Sequence, residues 1–317
     1  MSRMSLLCIS CMTVLGLAAC TGPEAQPSAS SSPAPASAPA TGSPAEPASA
    51  PLSVQVYNPG KEGIFQVSSS LVAGKQDAIL VDAQFSTHDA ARLVELVKAS
   101  GKRLTTIYIS AGDPDYYFGL EPLAQAFPDA RIVAPAAIVE HIRQTKDAKL
   151  AFWGPKLGDG APKRAIVPDV LQGDHLTLEG QALQIVGLDG PTPDRSFVWI
   201  PSIRTVLGGI PVMAGEHVWM ADTQTPESHA HWLQTLQEIE ALQPQRVIPG
   251  HFAPGAAQDL DAVRFTAGYI RAFDEETAKA KNADALVAAM KRRYPSLLGE
   301  DSLVLSAKVA KGEMKWP

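Results

Sequence analysis

The order of apolar and polar positions along this chain predicts a mixed α/β domain from about residue 54 onward. Residues 54–72 alternate between apolar and polar side chains with glycine interruptions, which is typical of antiparallel strands. Short apolar runs predict further strands, and stretches with apolar residues three to four apart predict helices. The predicted strands are 78–81, 104–109, 174–186, 197–207 and 245–248, and the predicted helices are 88–99, 116–127, 136–145, one that begins at Pro226 and two within 262–294. Residues 151–168 are rich in Gly and Pro, which predicts an irregular segment.

The first 20 residues have the pattern of an export signal. Arg3 precedes an apolar stretch, residues 6–17, that is too short to span a bilayer as a helix. Residues 17–20 read Leu-Ala-Ala-Cys and resemble a bacterial lipobox, in which Cys20 is acylated after cleavage. An ordinary signal peptide cut near Ala19 is the alternative. Because the residue after this Cys is not Asp, nothing indicates retention at the inner membrane. We therefore expect a lipid anchor at the periplasmic face of the outer membrane.

Composition divides the chain into a signal peptide at 1–19, a tether at 20–51 that starts with the acylated Cys, and a folded domain at 52–317 with a C-terminal helical extension. Pro, Ala, Ser, Thr and Gly make up nearly all of the tether, and such a segment buries too little apolar area to offset its ordering entropy. The net charge of −6, without a basic stripe, argues against nucleic acid as a partner. All three cysteines precede the domain, so a metal site in it must use His, Asp, Glu or Tyr.

The candidate chemistry lies in the loop that follows the predicted strand 104–109. Residues 110–119 read Ser-Ala-Gly-Asp-Pro-Asp-Tyr-Tyr-Phe-Gly. This loop resembles the metal-binding loop of the metallo-β-lactamase superfamily, whose members usually read Thr-His-x-His-x-Asp-His there. Four more segments and the C-terminal tail resemble the same superfamily, the tail being similar to a bacterial subgroup described as metal-dependent hydrolases; these segments are 78–83, 190–194, 206–210, 247–251 and 311–316. The resemblance implies an α/β fold, a four-layer αββα sandwich of the metallo-β-lactamase type, and the predicted order of elements agrees with it.

Members of this superfamily typically hold two Zn²⁺ ions between the sheets, and the resemblance assigns the ligand positions in this chain. The first-site positions are Ala111, Asp113 and Pro191, the second-site positions are Asp115, Tyr116 and His251, and the bridging position is Gly209. The resemblance therefore implies at most one ion, held by Asp113, Asp115 and His251. Asp189 is a candidate fourth ligand. The candidate ions are Zn²⁺, Mn²⁺ and Fe²⁺, and a set so rich in oxygen shifts the preference toward harder ions.

A second interpretation of the same residues needs no metal. Asp113 before Pro114 is a good helix N-cap, and a carboxylate at Asp115 suits the positive end of the helix dipole. The other histidines lack the spacing of metal ligands, so surface positions are expected for them; these are His88, His141, His175, His217, His229 and His231.

Two functions stay open at this point. The first is a single-metal hydrolase of a small ester, thioester, lactone or phosphoester, in which a metal-bound water attacks and Asp113 and Asp115 are the catalytic residues. The second is an inactive binding or scaffold protein of the cell envelope, because a fold does not by itself assign an activity. In either case the small molecule that binds is unknown, and the membrane is contacted through Cys20.

Three further predictions concern the surroundings of the loop. Asp82 resembles the buried Asp that braces the metal loop in relatives. Residues 116–118 and Trp153 either line a pocket at the site or belong to the core. Asp194 and Arg195 are expected to form a polar pair near the former ligand turn.

Overall fold

The computed structural model describes residues 50–316, so the predicted signal peptide, the lipidation site Cys20 and most of the predicted tether lie outside it. The strands are β1 (Ser53–Tyr57), β2 (Ser69–Ala73), β3 (Asp77–Val81), β4 (Arg103–Tyr108), β5 (Arg131–Ala134), β6 (Asp169–Val170), β7 (His175–Leu178), β8 (Gln181–Val186), β9 (Phe197–Ile200), β10 (Thr205–Leu207), β11 (Met213–Ala214), β12 (Arg246–Val247) and β13 (His251–Phe252). The helices are α1 (Thr87–Ser100), α2 (Pro114–Tyr117), α3 (Leu120–Ala126), α4 (Ala136–Leu157), α5 (Pro226–Ala241), α6 (Leu260–Lys279), α7 (Ala283–Arg293) and α8 (Glu300–Ala310).

The first sheet contains six strands in the order β1-β2-β3-β4-β5-β6. The strands β1 to β3 pair antiparallel, whereas β3 to β6 pair in parallel and are joined by crossover helices. Because the carboxyl ends of parallel strands lie at one edge of a sheet, the loops after β3 and β4 meet there. This edge carries Asp82 and residues 110–115.

The second sheet contains five strands in the order β12-β10-β9-β8-β7. The strands β7 to β10 pair antiparallel, and β12 joins β10 in parallel. A separate pair of short parallel strands, β11 and β13, places Met213 opposite His251. The loops after β10 and β12 therefore approach the same edge as the loops of the first sheet.

Apolar side chains fill the space between the two sheets and the space under the outer helices. Ile79 and Val81 of β3 pack with Val198 in the cluster between the sheets. Leu80 faces the opposite way and packs with Leu93 of α1. A strand that is buried on both faces needs apolar residues at every position, which explains the continuous apolar run of β3. Helices α5 and α6 share the cluster of the second sheet, and the predicted four-layer αββα sandwich is confirmed.

The structure differs from the predicted helices in three places. The predicted helix 116–127 divides into α2 and α3 at Gly119, where a Cβ would lie 1.9 Å from the carbonyl oxygen of Ala83. The predicted helix 136–145 continues as α4 to Leu157, so the irregular segment begins after it, because Trp153 in the last turns packs on the core. A third C-terminal helix, α8, follows the two that were predicted. Among residues 50–316, no helix combines the length and apolar character that crossing a bilayer requires.

Candidate functional site

The site is built on the buried carboxylate of Asp82, directly after β3. Its Oδ1 accepts a hydrogen bond from the backbone N–H of Ser110 (2.8 Å), and its Oδ2 accepts one from the Ser110 hydroxyl (2.6 Å). The same hydroxyl accepts a hydrogen bond from the N–H of Gly209 (2.6 Å), so one serine joins the ends of β3, β4 and β10. Burial raises the pKa of Asp82 to about 7, although the hydrogen bonds from Ser110 oppose the rise. These contacts agree with the bracing role predicted for Asp82.

Asp113 immediately precedes α2, and Pro114 is the first residue of that helix, as the capping interpretation predicts. However, the Asp113 side chain makes no capping hydrogen bond. Its Oδ1 instead accepts a hydrogen bond from Nζ of Lys149 on α4 (3.2 Å). Burial alone would raise the pKa of Asp113, but the positive charges of Lys149 and Arg195 outweigh it and hold this pKa below its usual range. Asp113 is therefore the ionised partner of a lysine.

Asp115 lies in the first turn of α2 and contacts His251 at the start of β13. Its Oδ2 is 2.9 Å from Nε2 of His251, and both side chains are buried, at 9% and 8% exposure. The other ring nitrogen of His251, Nδ1, is 3.7 Å from Oε1 of Glu216, whose side chain is also buried. The structure thus brings together two of the predicted ligands and adds a second carboxyl group to them.

The charges of this cluster depend on one another. Burial lowers the pKa of His251, but the hydrogen bond and the negative charge of Asp115 reverse this effect and raise it above its ordinary value. Burial raises the pKa of Glu216 to about 7, and the charge of His251 opposes the rise. One imidazolium thus lies between two carboxyl groups, and the cluster is nearest to neutrality when Glu216 is protonated.

Aromatic side chains cover the contact between Asp115 and His251. The rings of Tyr116 and Phe65 meet the His251 ring edge to face, with centroids 5.8 and 6.3 Å away. Phe65 in turn packs edge to face against Trp153 of α4 (5.4 Å). The residues 116–118, for which the sequence left a pocket or the core open, are buried. The space around His251 is therefore occupied by the protein's own rings.

A second group of side chains, here called the rim, adjoins this aromatic cover and consists of Phe152, Arg195, Trp219, Asp222 and Trp316. The Asp222 carboxylate accepts hydrogen bonds from the indole N–H groups of both tryptophans, and the bond from Trp316 measures 2.7 Å. The two indoles meet edge to face at 5.2 Å, and the Trp316 ring is 6.4 Å from that of Phe152. Phe152 is 46% exposed, so the rim presents aromatic surface to solvent.

Arg195 ends a short 3₁₀ turn, Pro193–Arg195, and its guanidinium lies over the ring of Trp232 at 5.1 Å. One of its terminal nitrogens, Nη1, is buried without a hydrogen-bond partner among residues 50–316. No ion pair joins it to Asp194 within that range, so the predicted polar pair is wrong: the guanidinium packs on Trp232 instead.

The predicted ligand Asp189 is exposed in the turn after β8 and makes no hydrogen bond or ion pair within the described part of the chain. Two predicted surface histidines are buried instead. His217 hydrogen-bonds with the Tyr269 hydroxyl (2.9 Å), and His229 contacts Asp274 (2.6 Å). Both predictions were wrong because helix α6, which supplies the two partners, packs on these residues only in the folded chain.

In the loop and in the cluster around His251, sequence reasoning missed two residues, Glu216 and Lys149. Glu216 is the single charged residue of the apolar run 210–220, and a lone charge in such a run is a signal of a buried, paired carboxyl group. Lys149 carried no comparable signal, because its role depends on α4 extending beyond its predicted end.

Comparison with known proteins gives this geometry a context. Residues 63–251, more than half of the chain, match the family profile described as the metallo-beta-lactamase superfamily. The chain belongs to the metallo-β-lactamase superfamily. No curated protein matches it in a sequence search.

Solved structures of the superfamily share the fold at low identity. A metallo-beta-lactamase family protein from Thermus thermophilus has a TM-score of 0.55 and 16% identity, covering 81% of this chain and 91% of its own. The structure of VMB-1 has a TM-score of 0.52 and 17% identity, covering 74% of this chain and 97% of its own. A metallo-beta-lactamase from Pontibacter korlensis has a TM-score of 0.50 and 16% identity, covering 70% and 96%. At such identities these likenesses describe the fold alone.

Members of the superfamily typically bind divalent metals such as zinc, so the donor groups of this chain can be tested against that requirement. Zinc in proteins is held by three or four His, Cys, Asp or Glu side chains that converge on one point. Among residues 50–316 no three such side chains are grouped in this way. Asp115 and His251 are directed at each other, and Asp113 is directed at Lys149. As arranged, the donor groups do not fit a metal centre.

Proposed function

We propose that this protein is a binding protein of the cell envelope, built on the metallo-β-lactamase fold, that does not hydrolyse its ligand. The observation that carries the proposal is the direct 2.9 Å contact between Asp115 and His251. Groups that bind a metal have to direct their lone pairs at the ion, whereas these two neutralise each other. The proposed partner is a small molecule.

The motif residues support this proposal. At the ligand positions assigned by the resemblance, Ala111, Pro191 and Gly209 have no donor side chain. Tyr116 has one, but burial raises the pKa of its phenol well above the ordinary value, which disfavours the phenolate that a metal would bind. The aromatic cover over His251 also leaves little room for a substrate at that place.

The rim is the surface we propose for ligand binding. It combines the exposed ring of Phe152 and the two half-buried indoles with the charges of Asp222 and Arg195. Small-molecule sites usually combine apolar and aromatic walls with a few polar groups that set orientation. The rim has this composition, whereas the covered cluster at His251 does not.

The location in the cell envelope rests on the leader. We propose that Cys20 is acylated and that the tether 20–51 holds the domain at the periplasmic face of the outer membrane. Fractionation of cells that express the full chain is the test. Wild-type protein should sediment with outer membranes, whereas Cys20→Ala should be released into a soluble fraction. Equal sedimentation of both forms would remove the anchor from the proposal.

A single-ion hydrolase of a small ester, thioester, lactone or phosphoester is the competing function. One observation favours it: Glu216 joins Asp115 and His251, so three groups of the ligand type lie within one small cluster. Side-chain rotation could turn them toward Zn²⁺, Mn²⁺ or Fe²⁺.

Metal content decides between the two functions. The chain is purified without chelators, dialysed against Zn²⁺, Mn²⁺ and Fe²⁺, and analysed by inductively coupled plasma mass spectrometry. We expect less than stoichiometric metal and no turnover of ester, thioester, lactone and phosphoester test substrates. About one ion per chain that is lost in His251→Ala, together with turnover, would establish the hydrolase instead.

Ligand binding is tested separately by thermal shift against small-molecule fractions of the bacterial envelope. A ligand that binds only the native state raises the melting temperature of the protein. We expect at least one fraction to stabilise the wild type but not Trp219→Ala. The matched control is Val170→Ala, an exposed apolar residue on β6 outside the rim, which should respond as the wild type does.

A further inference from the structure

Lys149 is placed where its ammonium meets three acceptors of the loop and of its own helix. Its Nζ is 3.2 Å from the Gly112 carbonyl oxygen, 3.2 Å from Oδ1 of Asp113 and 3.0 Å from Nε2 of His141. An ammonium group has three N–H donors and no acceptor, so this set satisfies it fully. We propose that these three groups form a cation site whose resident cation is the Lys149 ammonium, in a loop where members of the superfamily place metal.

The backbone is shaped for this site. His141 and Lys149 lie eight residues apart on α4, which is a little over two helical turns, so they share one face. The loop reaches them because residue 112 is Gly: a Cβ there would lie 2.6 Å from Cδ2 of His141. With any larger residue, either the loop or the imidazole would have to move. The close approach and the shared helix face therefore bring the three acceptors to one point.

Each acceptor offers a lone pair to the ammonium. The contact with His141 is made by the ring nitrogen Nε2 (3.0 Å), which must accept because an ammonium group can only donate. The contact with Asp113 is made by the carboxylate oxygen Oδ1 (3.2 Å). A carbonyl oxygen, a carboxylate oxygen and an imidazole nitrogen are also groups that ligate divalent ions. Removing the ammonium should therefore leave a latent metal site.

This inference concerns the loop alone and does not depend on whether the rim binds a ligand. A metal ion is exchangeable and can be removed by a chelator, whereas a lysine is covalently part of the chain. The loop 111–115 should accordingly keep its conformation without any metal supply. To bind Zn²⁺, the three acceptor atoms would have to move roughly 1 Å closer to the centre of the site, since Zn–N and Zn–O bonds are near 2 Å. Rotation of the exposed His141 side chain allows such a movement.

The test is Zn²⁺ uptake by Lys149→Ala in the full chain, measured by equilibrium dialysis and by thermal shift. We expect about one Zn²⁺ per chain and a melting temperature that rises with Zn²⁺. Lys149→Ala combined with His141→Ala should lose both effects. The matched control is Lys146→Ala, a lysine of the same helix with similar side-chain exposure (26% against 22%) that pairs with Asp147 instead of the loop. It should take up no Zn²⁺.

Two results would overturn the proposal. One is a folded Lys149→Ala variant that shows no Zn²⁺-dependent stabilisation. The other is a wild-type melting temperature that falls on addition of a chelator. If Lys149→Ala does not fold, competitive acetylation of the wild type replaces it. Lys149 should then react several-fold more slowly than Lys146, because its amine is held by three acceptors and not by one. Equal reactivity would contradict the assignment.

Discussion

The imidazole of His251 and the carboxylate of Asp115 lie 2.9 Å apart in a part of the molecule that solvent barely reaches. In this arrangement a pair of residues of the metal-ligand type serves as a buried ion pair. The attraction of such a pair offsets the loss of hydration of two charges only if both partners are present. Their measurable role should therefore be in stability, and this separates the binding protein from the hydrolase.

The first prediction is a loss of stability in single variants of this pair. Asp115→Ala or His251→Ala leaves one charge buried without its partner, which typically costs about 3–5 kcal/mol of unfolding free energy. The double variant removes both charges and should lose less than the sum of the two single losses. Urea denaturation of the four proteins measures this coupling.

Asp189→Ala is the control for this experiment, because that predicted ligand is exposed. Its unfolding free energy should stay within about 0.5 kcal/mol of the wild type, as for most surface substitutions. Additive single losses at Asp115 and His251 would show that the contact contributes nothing to folding.

The second prediction is that stability falls as pH rises from about 5 to about 8. Burial raises the pKa of both Asp82 and Glu216 to about 7, far above their unfolded values. The folded state therefore holds protons that the unfolded chain has lost, and its free energy of unfolding decreases through this window. The raised pKa of His251 acts in the same direction, since its contribution is present at low pH and is lost as pH passes the folded value. His217, whose pKa burial lowers to about 4, and His141, whose pKa is lowered by burial and by the charge of Lys149, oppose this trend within the window, but they are two groups against three. The lowered pKa of Asp113 also has the opposite sign, but it acts only in more acidic solution.

Urea denaturation at about pH 5 and about pH 8 measures this slope, and Asp82→Asn should make it shallower because it removes one of the titrating groups. The control is Asp284→Asn, an exposed residue in the first turn of α7, which should leave the slope unchanged. A stability that rises over this interval would show that these carboxyl groups are not buried as described.

The fold could be predicted from the sequence to the level of its four layers and of the order of most elements along the chain. The apolar run of β3 and the loop that begins at Ser110 are local signals, and both depend on residues adjacent in the chain. The meeting of Asp115 with His251 was also expected, because the resemblance assigns both to one site. Such features could be predicted because the physics that produces them is short-ranged or is encoded in a known motif.

The partners of the site residues could not be predicted in the same way. The contact of Asp113 with Lys149 needs α4 to continue past residue 145, and that extension depends on the packing of Trp153 against Phe65. Glu216 comes near His251 because β11 and β13 pair in parallel. Strands of only two residues leave no recognisable pattern in a sequence, so this pairing could not be predicted. Both contacts arise from tertiary packing, so local propensity carries no information about them.

The third prediction concerns Ser110, which links the two sheets. Ser110→Ala removes a donor from Asp82 and an acceptor from the N–H of Gly209, and both of these groups stay buried. A buried polar group that loses its partner costs about 1–3 kcal/mol. Ser100→Ala is the control, since that hydroxyl bonds only to backbone groups at its own helix end, donating to the Val97 carbonyl and accepting from the Lys102 N–H. A loss no larger than that of the control would mean that the sheets are held together elsewhere.

The fourth prediction is that a carboxylate restored at the bridging position does not restore a metal centre. Gly209 has a φ of +77°, and a Cβ there would lie 2.2 Å from the carbonyl oxygen of Ser196. Left-handed backbone costs an L-residue roughly 1–2 kcal/mol, and the clash adds to it. Gly209→Asp and Gly209→Ala should therefore be destabilised alike, because the backbone and not the charge sets the cost. Gly173→Ala has a similar φ of +82° with no atom near its Cβ, so it should lose only the conformational part. Urea denaturation measures the stability of these variants, and metal analysis measures their zinc content. A stable Gly209→Asp protein that binds zinc would show that the loop after β10 still accommodates a ligand.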